Sequence, residues 1–345
     1  MGGSRMTSSA DTFEHAEKQG RGAGWLRRLS QEQIVLIVTA ILVVIFSVGL
    51  PGFATLGSAL TLLSSVSVLG ILSLGAAIVI IGRGLDISQI ASMAIGAAMA
   101  ALVMKTGDGL GWALLAGFAI ALAIGLLNGF VIAFVEAPAL FATLASNLLI
   151  FGLARIFLLG NTYIVYVPRH ETAFLALGGD IGGVPAPVIA FFVLALLVHV
   201  FLSRTSLGRF IYAHGDNPEA ARLSGMPIRP LTILEYVMCA LIGYLAGLLQ
   251  MAMLSSIDTQ IVMGSEIFNV ILVAVLGGVS LVGGRGGVLS VIAGALLIGV
   301  LLDGMTRLNF GPDVQNIVRG LVLLGAIVLD NRLHPRDEET ARQGD

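Results

Sequence analysis

The sequence predicts an all-α, polytopic membrane protein, a bundle of about ten spanning helices with both termini cytoplasmic. Three observations carry that prediction. Hydrophobic residues make up 57% of the 345 residues and charged residues 12%, about half the soluble average of roughly 25%. Mean hydropathy is +0.96. Apolar runs near 20 residues, long enough to cross a hydrocarbon core, recur between short polar or Gly-rich breaks.

Taken in order, residues 1–32 are Gly-, Ser- and charge-rich, show no apolar period, and are expected to form a cytoplasmic tail. The first apolar run begins near Gln33 and is too long for a signal-peptide core, so it is expected to stay as a span. The expected spans are 33–50, 57–82, 87–104, 112–134, 138–158, 185–203, 230–254, 265–282, 287–303 and 314–330, within a transmembrane domain over 33–332. Residues 333–345 are expected to form a second cytoplasmic tail. The Gly-rich breaks at Arg83–Asp86 and Gly283–Gly287 can also be re-entrant turns, which makes the alternative count nine or eleven.

Basic residues set the orientation. Of nineteen, only Lys105, Arg155, Arg169, Arg307 and Arg319 fall on one side; the other fourteen share the side of the N-terminus. That places residues 204–229 in the cytoplasm and the segment Gly160–Val184 outside, where its Tyr, Phe and Leu content suggests a half-buried cap. Gly125/Gly129 and Gly243/Gly247 form GxxxG pairs on the fourth and seventh spans. Such pairs let backbones approach closely, within one bundle or across a dimer.

Several chemistries are excluded. The single cysteine, Cys239, allows no intrachain disulfide and no cysteine metal cluster. Neither lysine, Lys18 or Lys105, follows a glycine, so no Walker A loop exists and any ATP hydrolysis belongs on another chain. The run Gly277–Gly287 mimics a phosphate loop but carries Gly284-Arg285 where Lys-Ser/Thr is needed; it reads as a tight turn between spans. The five histidines have no metal-ligand spacing, no nucleophile elbow occurs, and no span gathers several ionisable groups as an ion-coupled pump would require. No cofactor and no nucleic acid partner are expected.

The loop 204–229 has its own grammar. Asn217 is a good N-cap, Pro218 suits the first helical position, Glu219 faces the positive end of the dipole and Arg222 the negative end. Gly225 can take the left-handed conformation that ends a helix and Pro227 forbids resumption. Pro218–Ser224 is therefore expected to be a two-turn helix, marginal alone and in need of a surface to lie against. Ala220 and Ala221 are small enough for such a surface to come close.

Polar residues within or beside the spans are the other candidates. Asp86, in GRGLDIS, either pairs locally with Arg83 or, with Ser88, lines or braces the transport path. Asn128, Asn147 and Asn269 lie inside spans and serve either as glue between helices or as substrate contacts. Glu266 is read as a solvated residue near the outer mouth.

Four stretches in order resemble the permease subunits of ribose-type sugar ATP-binding-cassette importers, over about Gln33 to Arg332. Gly84–Ala101 (GLDISQIASMAIGAAMAA) is similar to that family's GIDLSVGS segment. Ala137–Phe157 (APALFATLASNLLIFGLARIF) is similar to its AFIATL stretch. Leu207–Met226 (LGRFIYAHGDNPEAARLSGM) is similar to its GRYIYAIGGNEEAARLSGI loop. Ile271–Met305 is similar to its LGGTSLAGGRG segment. Departures fall at Arg83, at Gln89-Ile90, and at Ala139–Leu144, where ALFATL replaces AFIATL.

The resemblance implies an inner-membrane permease for a monosaccharide or polyol, paired with a second permease, identical or homologous. It also implies two cytoplasmic ATPase subunits and an external sugar-binding protein, with lipid around the spans. It further implies that the loop Leu207–Met226 meets the ATPase, through Gly208, Arg209, Asn217, Pro218, Glu219, Ala220, Ala221, Arg222 and Gly225. Phe141 and Thr143, in the altered stretch, join Asp86, Ser88, Asn128, Asn147 and Asn269 as expected path residues. The rival readings are a branched-chain amino-acid permease and an ion-coupled secondary transporter.

Overall fold

The computed structural model describes residues 30–333 except Asn161. The two expected tails lie outside the described residues, apart from their innermost positions. Ser30 opens α1 (Gln31–Gly49) through a capping box, its hydroxyl taking the Gln33 N–H while the Gln33 side chain accepts from Ser30 N at 3.0 Å. α2 (Leu56–Ile81) is capped by Thr55, and α3 (Gln89–Thr106), α4 (Leu110–Phe134) and α5 (Ala139–Ala154) follow, the last continuing into a π turn over Arg155–Leu159. Next come β1 (Ile164–Tyr166), α6 (Thr172–Leu175) and a small hairpin, β2 (Asp180–Ile181) with β3 (Val184–Pro185). α7 (Ala186–Arg204), α8 (Ser206–Asp216), α9 (Pro218–Leu223) and α10 (Ile228–Leu254) lead to β4 (Ser256–Asp258), which pairs antiparallel with β1. α11 (Glu266–Gly277), α12 (Val288–Arg307) and α13 (Pro312–Leu333) complete the chain.

The fold is all-α and polytopic. Among the described residues eight helices are long and apolar enough to cross a membrane: α1 to α5 with its π turn, α7, α10 and α12. Nine of the ten expected spans coincide closely with a helix, α13 occupying the last of them. The exception is 265–282. Only Glu266–Gly277 is helical there, and 12 residues reach about 18 Å, well short of a core of about 30 Å. Gly278, at φ 116°, turns the chain out of the helix.

α2 sits at the centre. Every residue from Gly70 to Ile81 is buried, as expected of a helix that is apolar on all sides. The peripheral helices present the opposite picture: Val44, Phe118, Leu149, Ile156 and Leu196 point outward, which in lipid is the satisfied state. Both GxxxG pairs are used inside the chain. A Cβ on Gly125 or Gly129 would stand 2.7 Å from the Cα of Val237 or Ile233 on α10, and Gly243 lets α10 meet the Gln89 backbone of α3. Long-range staples tie α1 to the far end of the sequence. Gln31 donates to the carbonyls of Val275 and Leu276, and Glu32 accepts from Ser290 at 2.6 Å.

The bundle has two distinct ends. α10, 27 residues and so about 40 Å long, begins beside α9 and finishes at β4. The segment 160–185 lies at the β4 end. It is half-buried as its composition predicts, with Val165 and Phe174 inside.

Candidate functional site

At the α9 end the chain builds a two-helix elbow. Thr205 breaks α7 by adopting an extended conformation and caps α8 by accepting from Gly208 N at 3.0 Å. Gly208 is buried against the carbonyls of Phe201 and Leu202, a turn too tight for a side chain. α8 was not foreseen in the sequence, although Leu207, Phe210, Ile211 and His214 carry a helical i, i+3, i+4, i+7 period. Its C-terminal turn is clamped between two inter-helix turns. Gly215 packs directly on the Ile81 carbonyl at the end of α2, Gly284 N donates to that same carbonyl at 2.8 Å, and Tyr212 donates to Gly286 O at 2.8 Å. The Gly-rich run 277–287 is thus a tight turn, as expected, and also the seat of α8.

α9 matches its predicted grammar. Asn217 caps it by accepting from Ala220 N at 2.9 Å. Gly225, at φ 76°, ends it, with Met226 N bonding Ala221 O at 3.2 Å and Gly225 N bonding Arg222 O at 3.0 Å. The faces correct the expectation for the two alanines. Ala220 is exposed, but Ala221 is 3% exposed and packs inside this chain, so no partner can reach it. The outward face consists of Glu219, Ala220, Arg222 and Leu223, the last 85% exposed. Arg209 is also exposed, on α8.

Beside the elbow lies an open cavity of about 900 Å³ lined by Arg83, His214, Glu219, Arg222, Glu235 and Tyr236. Burial holds the His214 imidazole below its ordinary pKa, and the charge of Arg83 adds to that. Glu235, missed in the sequence although it interrupts an apolar run, is 1% exposed, and Gly82 packs on its carboxylate.

The Gly82–Ser88 connection carries a polar cluster. Asp86, 4% exposed, accepts from both Ser88 N (2.9 Å) and Ser88 Oγ (2.6 Å), and Asn128 on α4 donates to Ser88 Oγ at 2.6 Å. Thr143 on α5 accepts from Ile87 N at 3.2 Å and donates to Ala139 O at 2.8 Å. No ion pair joins Arg83 to Asp86 among the described residues: Arg83 is exposed in a left-handed conformation, and Asp86 turns inward. The structure therefore brings Asp86, Ser88, Asn128 and Thr143 together, joining three elements. Asn147, one turn beyond Thr143, donates instead to Val262 O at 3.2 Å. Phe141 is 67% exposed on the bundle exterior, away from the cluster. Asn269 belongs to a separate network with Glu266 and Arg319. Among the described residues no group of three His, Cys, Asp or Glu side chains is placed to hold a metal.

Residues 58–327 match a family model described as branched-chain amino acid transport system / permease component. The chain is 34% identical over 302 residues to the ribose import permease protein RbsC of Escherichia coli strain K12, across 87% of this chain and 94% of that protein. It is 33% identical over 326 residues to the L-arabinose transport system permease protein AraH of the same strain, across 94% and 97%. To the L-arabinose ABC transporter permease protein AraH of Azospirillum brasilense it is 29% identical, across 94% of each chain. No solved structure matches it. With its apolar helices matched across most of their length, the chain belongs to the family of branched-chain amino acid transport system permease components, as a multi-pass inner-membrane transporter subunit.

Proposed function

We propose that this chain is the membrane-spanning subunit of an ATP-binding-cassette importer that takes up a monosaccharide or related polyol. ATP hydrolysis resides on cytoplasmic partner subunits, and an external binding protein delivers the solute. A second permease, identical or homologous, completes the passage. The relatives whose names state a cargo, ribose and arabinose, favour sugar over the branched-chain amino acids of the family description. A self-sufficient ion-coupled transporter has no support among them.

The ATPase seats on α8 and α9, and one observation carries this reading. Leu223 stands 85% exposed, flanked by Glu219 and Arg222, on a helix whose opposite face is fixed by Ala221. A large apolar side chain held out on a rigid charged elbow fits a protein partner. The clamp of Gly215 and Tyr212 on the turns 82–84 and 283–286 gives the motion of that partner a direct mechanical route. Displacing α8 moves the ends of α2 and α11, and through Asp86 and Ser88 it loads α4 and α5.

The test is Leu223→Asp in the assembled importer, scored by membrane abundance, ATPase co-purification and uptake. Normal abundance with loss of the ATPase and of uptake is expected. Wild-type uptake with the ATPase bound refutes the docking surface. Purifying the partner binding protein and measuring which solute it retains identifies the cargo.

A further inference from the structure

The short α11 has a geometric corollary at the other end of the bundle. Its C-terminal end sits with the turn that seats α8. At about 18 Å long, it starts roughly 12 Å short of the far side of a core of about 30 Å. The chain from Ser255 to Ser265 must therefore turn back into the bundle to reach Glu266. Contacts agree: Asn147 donates to Val262 O at 3.2 Å, and Thr259, 0% exposed, donates to Tyr163 O at 2.8 Å. Glu266 is accordingly recessed from the mouth and half-buried, next to the exposed Ser265. Irregular backbone at membrane depth persists only where protein buries it or where it lines a wet cavity.

Such a cavity is present, about 270 Å³ in volume, bounded by Ser65, Leu69 and Leu72 of α2, Met93 of α3, Gln250 of α10 and Glu266. Ser65 is exposed at its rim and Met93, 1% exposed, forms its floor. The polar wall is built from outside the cavity. Glu266 Oε2 accepts from Asn269 at 3.1 Å, and Asn269 Oδ1 accepts from Arg319 of α13 at 3.1 Å. That relay orients the carboxylate. Among the described residues Oε1 of Glu266 and the amide of Gln250 take no hydrogen bond. The opposite wall of Leu69, Leu72 and Met93 is apolar. A hydroxyl-bearing edge facing an apolar face is the pattern of a sugar ring. The volume lies just under the roughly 300–1,000 Å³ of drug-sized pockets, which suits a small ring.

We infer that this cavity is a sugar-contact site on the transport path, in which Glu266 and Gln250 bond ring hydroxyls and Leu69, Leu72 and Met93 pack on the C–H face. The inference rests on the proposed import of a monosaccharide. It is tested in cells carrying the complete importer, using radiolabelled D-ribose, L-arabinose and leucine. Glu266→Gln and Gln250→Ala should each lower initial sugar uptake about 10-fold or more at equal membrane abundance. Gln250→Ala should also change the ribose-to-arabinose ratio, which a purely structural role would leave constant. Ser65→Cys should react with a membrane-impermeant thiol reagent from outside, against the buried Cys239, and saturating sugar with the binding protein should protect it. Leucine uptake without sugar uptake overturns both this site and the proposed cargo. Sugar uptake unchanged in rate and ratio by both variants, or unprotected labelling of Ser65→Cys, overturns the site alone.

Discussion

Gly215→Ala is the smallest change that tests whether the α8 clamp carries force. The alanine Cβ would stand 2.6 Å from Gly284 N and closer still to the Ile81 carbonyl, both of them main-chain atoms on other elements. Neither can swing aside as a side chain does. Relieving the overlap requires moving α8 by several tenths of an ångström from the α2 end, which lengthens the bond between Gly284 N and Ile81 O. Overpacking of this kind costs about 1–3 kcal/mol, and helix propensity returns at most about 1 kcal/mol for glycine to alanine. The net is a loss of up to about 3 kcal/mol that falls on the joint between elbow and bundle. Gly111→Ala is the control, with nothing within 4 Å of its Cβ, and should be neutral or slightly stabilising. The assay is the apparent melting temperature of the detergent-solubilised protein, alongside uptake and ATP hydrolysis by the assembled importer. Gly215→Ala should melt below wild type and hydrolyse ATP with reduced uptake. A variant that melts as high as wild type and imports at the wild-type rate refutes the clamp as the transmitting joint.

Two further outcomes are expected. The depressed pKa of His214 means that the unfolded chain binds its proton more readily than the folded chain. Its contribution is therefore intact above about pH 6.5 and stability falls as pH drops from there toward the lower folded value; melting between pH 7.5 and 5 should show this drop, and His214→Gln should shrink it, an unchanged slope contradicting the assignment. Ser203→Cys and Thr172→Cys, both at exposed positions, should label from opposite faces of the membrane, and labelling of both from one face would overturn the orientation drawn from the basic residues.

Much of the fold was legible because an apolar run in lipid has few options beyond a helix. The run expected at 57–82 is Leu56–Ile81, and that at 185–203 is Ala186–Arg204. α9 was equally readable, since Asn217, Pro218 and Gly225 mark its ends by local stereochemistry alone. Faces and partners were harder. A six-residue helix has too little periodicity to say that Ala221 points in and Ala220 out. α8 was hidden by its polar composition, and only its spacing of apolar residues marked it. The run 265–282 stayed apolar beyond the true helix, so hydropathy could not reveal that Gly278 cuts it short. Ser88 and Asn128 are forty residues apart and meet only because α4 crosses the Gly82–Ser88 connection, which no local signal encodes.

The truncated α11 also bears on how the protein is made. At its C-terminal end Gly278 N closes on Val275 O at 3.1 Å, and a side chain of α1 adds a second donor there. That donor is Gln31, 244 residues earlier by the Val275 contact. During translation α1 is therefore already in place when the ribosome reaches α11, and the receptor for the short helix precedes the helix itself. A circular permutant beginning at α2 and ending with α1 would reverse that order, and α11 would then be made before the donor that meets its last turn.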